Sequence, residues 1–90
     1  LNQYIVTLDI SWNDIGDEGA FHLSHSHTIK ELSLNHCSIG DIGAEHLSKN
    51  SVIESLELAY NFISEEGAQC FSNNSTLTHL NLRGNYLGIF

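Results

Sequence analysis

The feature that most constrains this chain is internal repetition. Cutting at positions 5, 29, 53 and 77 yields segments that begin Ile5-Val-Thr-Leu8-Asp-Ile10, Ile29-Lys-Glu-Leu32-Ser-Leu34, Ile53-Glu-Ser-Leu56-Glu-Leu58 and Leu77-Thr-His-Leu80-Asn-Leu82. Each start follows the last by 24 residues, with no insertion. Downstream columns agree as well: Asn13, Cys37, Asn61 and Asn85, then Ile15, Ile39, Ile63 and Leu87. Gly19-Ala20, Gly43-Ala44 and Gly67-Ala68 follow, and then Leu23, Leu47 and Phe71. Such self-similarity marks a stacked array in which each unit buries its apolar face against its neighbours. The units run 5–28, 29–52 and 53–76, with a partial fourth at 77–90, and together they form one domain.

The physics of one unit is readable. Apolar residues alternate at period two in Leu8-Asp9-Ile10 and its counterparts, which is strand behaviour. Leu8 and Ile10 should point inward, with Thr7, Asp9 and Ser11 outward. The Asn column is polar yet lies between apolar columns, so its amides must be hydrogen-bonded. Bonds to the backbone of their own and the neighbouring turn would make Asn13, Cys37, Asn61 and Asn85 a structural ladder. Cys37 fits a small, semi-polar buried place in it.

After each strand the composition turns helical. Gly16-Asp17-Glu18-Gly19-Ala20 and Ser64-Glu65-Glu66-Gly67-Ala68 read as helix starts, with carboxylates at the positive end and Ser64 as N-cap. The Gly-Ala pairs let a short helix lie close to the strand layer. Polar tails such as His25-Ser26-His27-Thr28, Lys49-Asn50-Ser51 and Asn73-Asn74-Ser75-Thr76 return the chain to the next strand. A right-handed βα coil should therefore repeat, with parallel strands about 4.8 Å apart.

Composition narrows the partners. Three Lys plus Arg stand against eleven Asp plus Glu, a net charge of −8 with His neutral. Duplex nucleic acid and anionic membrane surfaces need clustered basic residues and are excluded as partners. No apolar run approaches the roughly 18 residues of a membrane span. The N-terminal stretch shows neither a basic nor an apolar signal region, and its first residue is Leu rather than Met, as expected of a trimmed chain. Two cysteines are too few for a disulfide scaffold, so a reducing, cytoplasmic setting is expected.

The pattern L-x-x-L-x-L-x-x-N/C-x-I-x-x-x-G-A-x-x-L over residues 5–88 resembles leucine-rich repeats of the ribonuclease-inhibitor-like class. The 24-residue period and the Gly-Ala pairs are similar to the GALA-type repeats of effectors that bacterial pathogens inject into host cells. The resemblance implies an α/β solenoid, with a curved parallel sheet on the concave side and short helices on the convex side. It implies a non-catalytic module that docks its concave face on a partner protein and masks or inhibits it, the partner being an enzyme or another effector. In that setting the protein would reach the host cytosol. The alternative is a substrate-recognition segment of a larger ubiquitin-ligase or receptor protein, although no segment here could be the F-box of larger GALA proteins. Solenoids usually end in capping units, so flanking segments or a partner are expected to cover the ends.

The concave columns follow from the repeat. Trp12, His36 and Tyr60 share one position and should stack as a stripe, and Trp and Tyr dominate interface hot spots. Beside them lie Asp9, Glu31, Glu54 and Glu57, with Asn35 and Arg83 adjacent. This set of nine is the expected partner-binding face, suited to a protein with a basic or enzymatic surface in a heterodimer. Phe62 and Tyr86 lie two places beyond the stripe and would extend it.

Chemistry is not expected. His22, His46 and Cys70 share one helix column, where a zinc site is conceivable, but that column faces sideways and lacks a carboxylate second shell. No metal and no cofactor are therefore expected. Cys37 should be buried and inert rather than nucleophilic. The glycines are explained by the repeat rather than by a phosphate loop. Glu65-Glu66 is a helix start rather than an acid/base pair in a cleft.

Overall fold

The computed structural model describes residues 4–87. Four short strands, β1 (Thr7–Asp9), β2 (Glu31–Ser33), β3 (Ser55–Glu57) and β4 (His79–Asn81), alternate with helices α1 (Gly16–Leu23), α2 (Asp41–Ser48) and α3 (Glu65–Gln69), the last running into a 3-10 turn at Cys70–Asn73. The strands form one parallel sheet in the order β1-β2-β3-β4. Register follows the repeat, with Leu8, Leu32, Leu56 and Leu80 paired in turn. This is the α/β leucine-rich solenoid expected from the columns.

Between sheet and helices lies a single apolar layer. Ile29, Leu32, Leu34, Ile39, Leu47, Ile53, Leu56, Leu58 and Ile63 are all at most 2% exposed. Ile5, Leu8, Ile10, Leu77, Leu80 and Leu82 only partly join it. The difference follows from stacking, because the outer strands of the described sheet have one neighbour and the inner strands two. Burying one such aliphatic side chain contributes about 1.5–3 kcal/mol.

The Asn column forms the expected ladder, repeat to repeat. Asn61 Oδ1 accepts from the N–H groups of Cys37 (2.9 Å) and Ile39 (3.0 Å), and its amide donates to the carbonyls of Leu34 (2.9 Å) and Ala59 (3.3 Å). Asn85 accepts from Ile63 N–H at 2.9 Å and donates to Leu58 O at 2.8 Å. Cys37 supplies only the donor half of this pattern, its thiol donating to Ile10 O and Asn35 O, each at 3.4 Å. One repeat back, the Ile15 N–H bonds Asn13 O (3.0 Å) instead of a side chain. Burial pushes the Cys37 thiol pKa up, as an inert thiol requires. Asn13 departs from expectation, since it is exposed and donates only within its own turn, to Ile10 O and Ser11 O. No earlier strand stacks on β1 among the described residues.

Two further ladders were not anticipated. Ser26, Asn50 and Asn74 form one at the returning turns. Asn50 donates to Ser24 O and Ser26 O and accepts from Val52 and Ile53 N–H. Asn74 repeats the arrangement with Ser48 O, Asn50 O, and the N–H groups of Thr76 and Leu77. Ser26 Oγ accepts from Thr28 and Ile29 N–H.

The other ladder corrects the reading of the helix starts. Asp17 and Asp41 each cap the next helix rather than serving only their own. Asp17 Oδ1 accepts from Gly40 N–H (2.7 Å) and Gly43 N–H (3.0 Å) at the start of α2. Asp41 Oδ1 accepts from Ser64 N–H (2.7 Å) and Gly67 N–H (3.1 Å), and its Oδ2 accepts from the Ser64 hydroxyl (2.6 Å). Ser64 is the N-cap of α3, as expected, accepting from Glu66 N–H. A methyl group at Gly43 or Gly67 would collide with these aspartates and with Ile39 or Ile63, so the Gly of these two Gly-Ala pairs makes room for the carboxylate; at Gly19 the side chain in the way is Ile15.

Candidate functional site

The turn leaving each strand places one side chain on the strand face in a left-handed backbone conformation. Trp12, His36 and Tyr60 have φ of 66°, 55° and 59°, and Gly84, in the same column, 74°. Only glycine adopts this region without steric cost, and other residues lose about 1–2 kcal/mol there. The conformation is imposed by inter-repeat bonds: the N–H groups of Trp12, His36 and Tyr60 donate to Asn35 O, Ala59 O and Arg83 O at 2.9, 3.0 and 2.7 Å. Three ring-bearing residues thus stand where glycine would fit with less strain, a signature that concentrates at functional positions.

The rings stack face to face. Trp12 and His36 have centroids 3.6 Å apart at 12°, and His36 and Tyr60 4.7 Å apart at 15°. Gly84 ends the column, because a Cβ there would overlap the Tyr60 ring. The Arg83 guanidinium lies 5.9 Å from the Tyr60 centroid, at cation–π distance. Trp12 is 74% exposed and Tyr60 43%. Phe62 and Tyr86 form a second, looser pair at 6.2 Å on the adjoining loop edge, both about half exposed.

The carboxylates lie on the same face. Asp9, Glu31 and Glu57 line a 350 Å³ depression together with Thr7, Ser33 and Ser55. Asp9 accepts from Ser11 N–H at 3.0 Å, which holds its carboxyl below the usual aspartate range. Glu57 accepts from the Asn81 amide (2.8 Å) and bonds His79 Nε2 (2.5 Å), and these partners, Asn81 first, lower its pKa. Glu31 accepts from the Thr7 hydroxyl at 3.0 Å. Glu54 differs, being paired with Lys30 at 3.5 Å.

The structure gathers Trp12, His36, Tyr60 and Arg83 into one column end, and Asp9, Glu31 and Glu57 into the neighbouring depression. Asn35 is engaged internally, its Oδ1 accepting from Ala59 N–H at 2.7 Å. Ala59, one repeat on from Asn35 in the same column, is buried, flanked there by the longer Asn35 and Arg83. His22 and His46 do not join Cys70; their rings lie edge-on to Phe21, as does that of His25. Among the described residues no group of three His, Cys, Asp or Glu is arranged to hold a metal ion. Also among them, no helix is long and apolar enough to cross a membrane.

The left-handed column was missed by sequence reasoning, although Gly84 at one of its four places was a visible hint. The aspartate and Ser/Asn ladders were equally visible as 24-residue columns, but their partners were not.

Comparison with known proteins agrees with this geometry. Leucine-rich repeat family profiles match residues 27–87 and residues 1–24. A search of curated proteins finds no match. Among solved structures, leiomodin-1 actin-binding site 2 superposes with a TM-score of 0.77 at 22% identity, over 97% of this chain. The match covers 59% of that solved chain, and likeness at this identity carries the fold alone. With family profiles covering most of its length, the chain belongs to the leucine-rich repeat family, whose repeats typically serve as non-catalytic protein-interaction modules.

Proposed function

We propose that this chain is a non-catalytic module that docks its strand face on another protein and masks the surface it covers. One observation carries the reading: a face-stacked column of Trp12, His36 and Tyr60 held at positive φ, with Trp12 and Tyr60 exposed and His36 half-buried between them. Nothing in the folding of the solenoid requires rings there, since Gly84 occupies the same place in the fourth repeat. Rigid aromatic anchors with few rotatable bonds suit an interface centre. The adjoining Asp9, Glu31, Glu54 and Glu57 favour a partner with a basic surface, steering its approach and opposing acidic competitors. Arg83 packs on Tyr60 and steadies the column's end.

The 24-residue period and the Gly-Ala pairs support the ribonuclease-inhibitor-like, GALA-type subclass. With it comes an effector delivered into host cytosol, forming a heterodimer with an enzyme or a second effector. The actin-binding description of leiomodin-1 belongs to that protein, and nothing on this strand face singles out actin.

The test is affinity capture with the wild-type chain and with the Trp12→Ala/Tyr60→Ala double variant, followed by measurement of the captured protein's affinity for each. Hot-spot anchors should cost about 2 kcal/mol or more apiece. Equal affinity for both forms sinks the assignment of the face.

A further inference from the structure

The chain's few basic groups are all engaged. Lys30 pairs with Glu54 and Lys49 with Glu45, while Arg83, the third of the three Lys plus Arg, lies over Tyr60. Asp9, Glu31 and Glu57 therefore line their depression without a lysine or arginine partner, bonded instead to Ser11 N–H, the Thr7 hydroxyl, Asn81 and His79. Carboxylates hydrogen-bonded this way retain lone pairs for a bidentate guanidinium.

The stacked column imposes a second condition. The facing surfaces of its rings are spent on one another, and the outer side of Tyr60 is taken by Arg83, while Trp12 at the other end is 74% exposed. What the column offers along its flank is ring edges, the electropositive rim of an aromatic, which prefers the face of another ring in an edge-to-face contact. A partner's cation is suited to the carboxylates and not to this rim.

Spacing joins the two. Asp9 precedes Trp12, and Glu57 precedes Tyr60, by three residues along the same strand and turn. A polyproline II segment laid along the strands covers three residues in about 9 Å and returns the third side chain to the same side. We propose that the occupant of this face is a polyproline II segment of a partner protein, with an arginine in the Asp9/Glu31/Glu57 depression and an aromatic side chain three residues away, on the same side of that segment, against the Trp12–His36–Tyr60 edges. The inference rests on the strand-face reading above and specifies the chemistry of what binds there.

The chain's single tryptophan, Trp12, reports on this contact. Its emission is followed while the intact chain is titrated with capped peptides carrying arginine and phenylalanine at separations of one, three and five residues. A further peptide has glutamate in place of arginine. The expected result is a saturable change in emission, tightest at a separation of three and at least about tenfold weaker with glutamate, the equivalent of losing one well-placed charged contact. Glu31→Gln and Glu57→Gln, shown by circular dichroism to be folded, should weaken the same peptide by a similar factor. Binding indifferent to spacing and charge, or no binding by any peptide, overturns the proposal. Should the captured partner still depend on Trp12 and Tyr60 in that case, the face stands and only the occupant is wrong. A partner indifferent to the Trp12→Ala/Tyr60→Ala variant removes the face itself.

Discussion

Replacing Asn61 tests how the repeats are held together. Asn61 is 2% exposed and serves four backbone groups. Asn61→Ala leaves the Cys37 and Ile39 N–H groups without a partner at positions that are 0% exposed. Each orphaned buried donor costs about 1–3 kcal/mol, and carbonyls tolerate under-satisfaction better. The expected loss is about 3–5 kcal/mol. Against a total of roughly 5–13 kcal/mol for a chain of this size, that is a large fraction of the stability. Asn61→Cys separates the donor from the acceptor half of the role. The chain's own Cys37 shows a thiol donating to two carbonyls in this column while the Ile15 N–H turns to a local carbonyl. Both N–H groups lose their acceptor in the cysteine variant too, so it should lose nearly as much as the alanine variant. Urea unfolding followed by far-ultraviolet circular dichroism measures both. A loss below about 1 kcal/mol for alanine, or a cysteine variant that stays near wild type, refutes the reasoning.

Trp12→Gly should leave stability within about 1 kcal/mol of wild type, because relief of the left-handed backbone offsets the lost ring stacking, while partner affinity falls; a stability loss above about 2 kcal/mol would make Trp12 a structural residue. Gly84→Ala should destabilise by about 1–2 kcal/mol and lift the Tyr60 ring from the stack, visible as altered near-ultraviolet dichroism; an unchanged spectrum contradicts the Gly84–Tyr60 packing. Asp41→Ala should cost about 1–2 kcal/mol as the loss of a helix cap, read from the same urea curves. Because the Ser64 hydroxyl holds the Asp41 carboxyl below the ordinary value of 3.8, its contribution is complete above that value and disappears as pH falls through the lowered one. Asp41→Asn should accordingly flatten the acid limb of the stability profile. Leu56→Ala, at 0% exposure, should cost about 2–5 kcal/mol.

The architecture was legible because a repeat states its own register. Once Leu8, Leu32, Leu56 and Leu80 fall in one column, parallel pairing of those leucines follows, and so does a buried Asn column that must bond backbone. The same arithmetic placed Trp12, His36 and Tyr60 side by side on the strand face and kept Cys37 inside. These conclusions require only periodicity and the need to bury apolar groups and satisfy polar ones.

Spacing in the chain could not supply direction, distance or backbone conformation. It could not tell that Asp17 and Asp41 reach across to the following helix, since an acidic residue in a first helical turn is equally at home on its own dipole. Nor could it tell that Ala59 is buried, that Asn35 is engaged with a backbone N–H, or that Asn13 lies exposed beside an outer strand. The positive φ of the aromatic column depends on inter-repeat hydrogen bonds, which exist only once the turns are stacked. Whether the rings offer faces or edges depends on that stacking too, because a side chain's direction is set by its backbone dihedrals and by the neighbour it meets across the sheet.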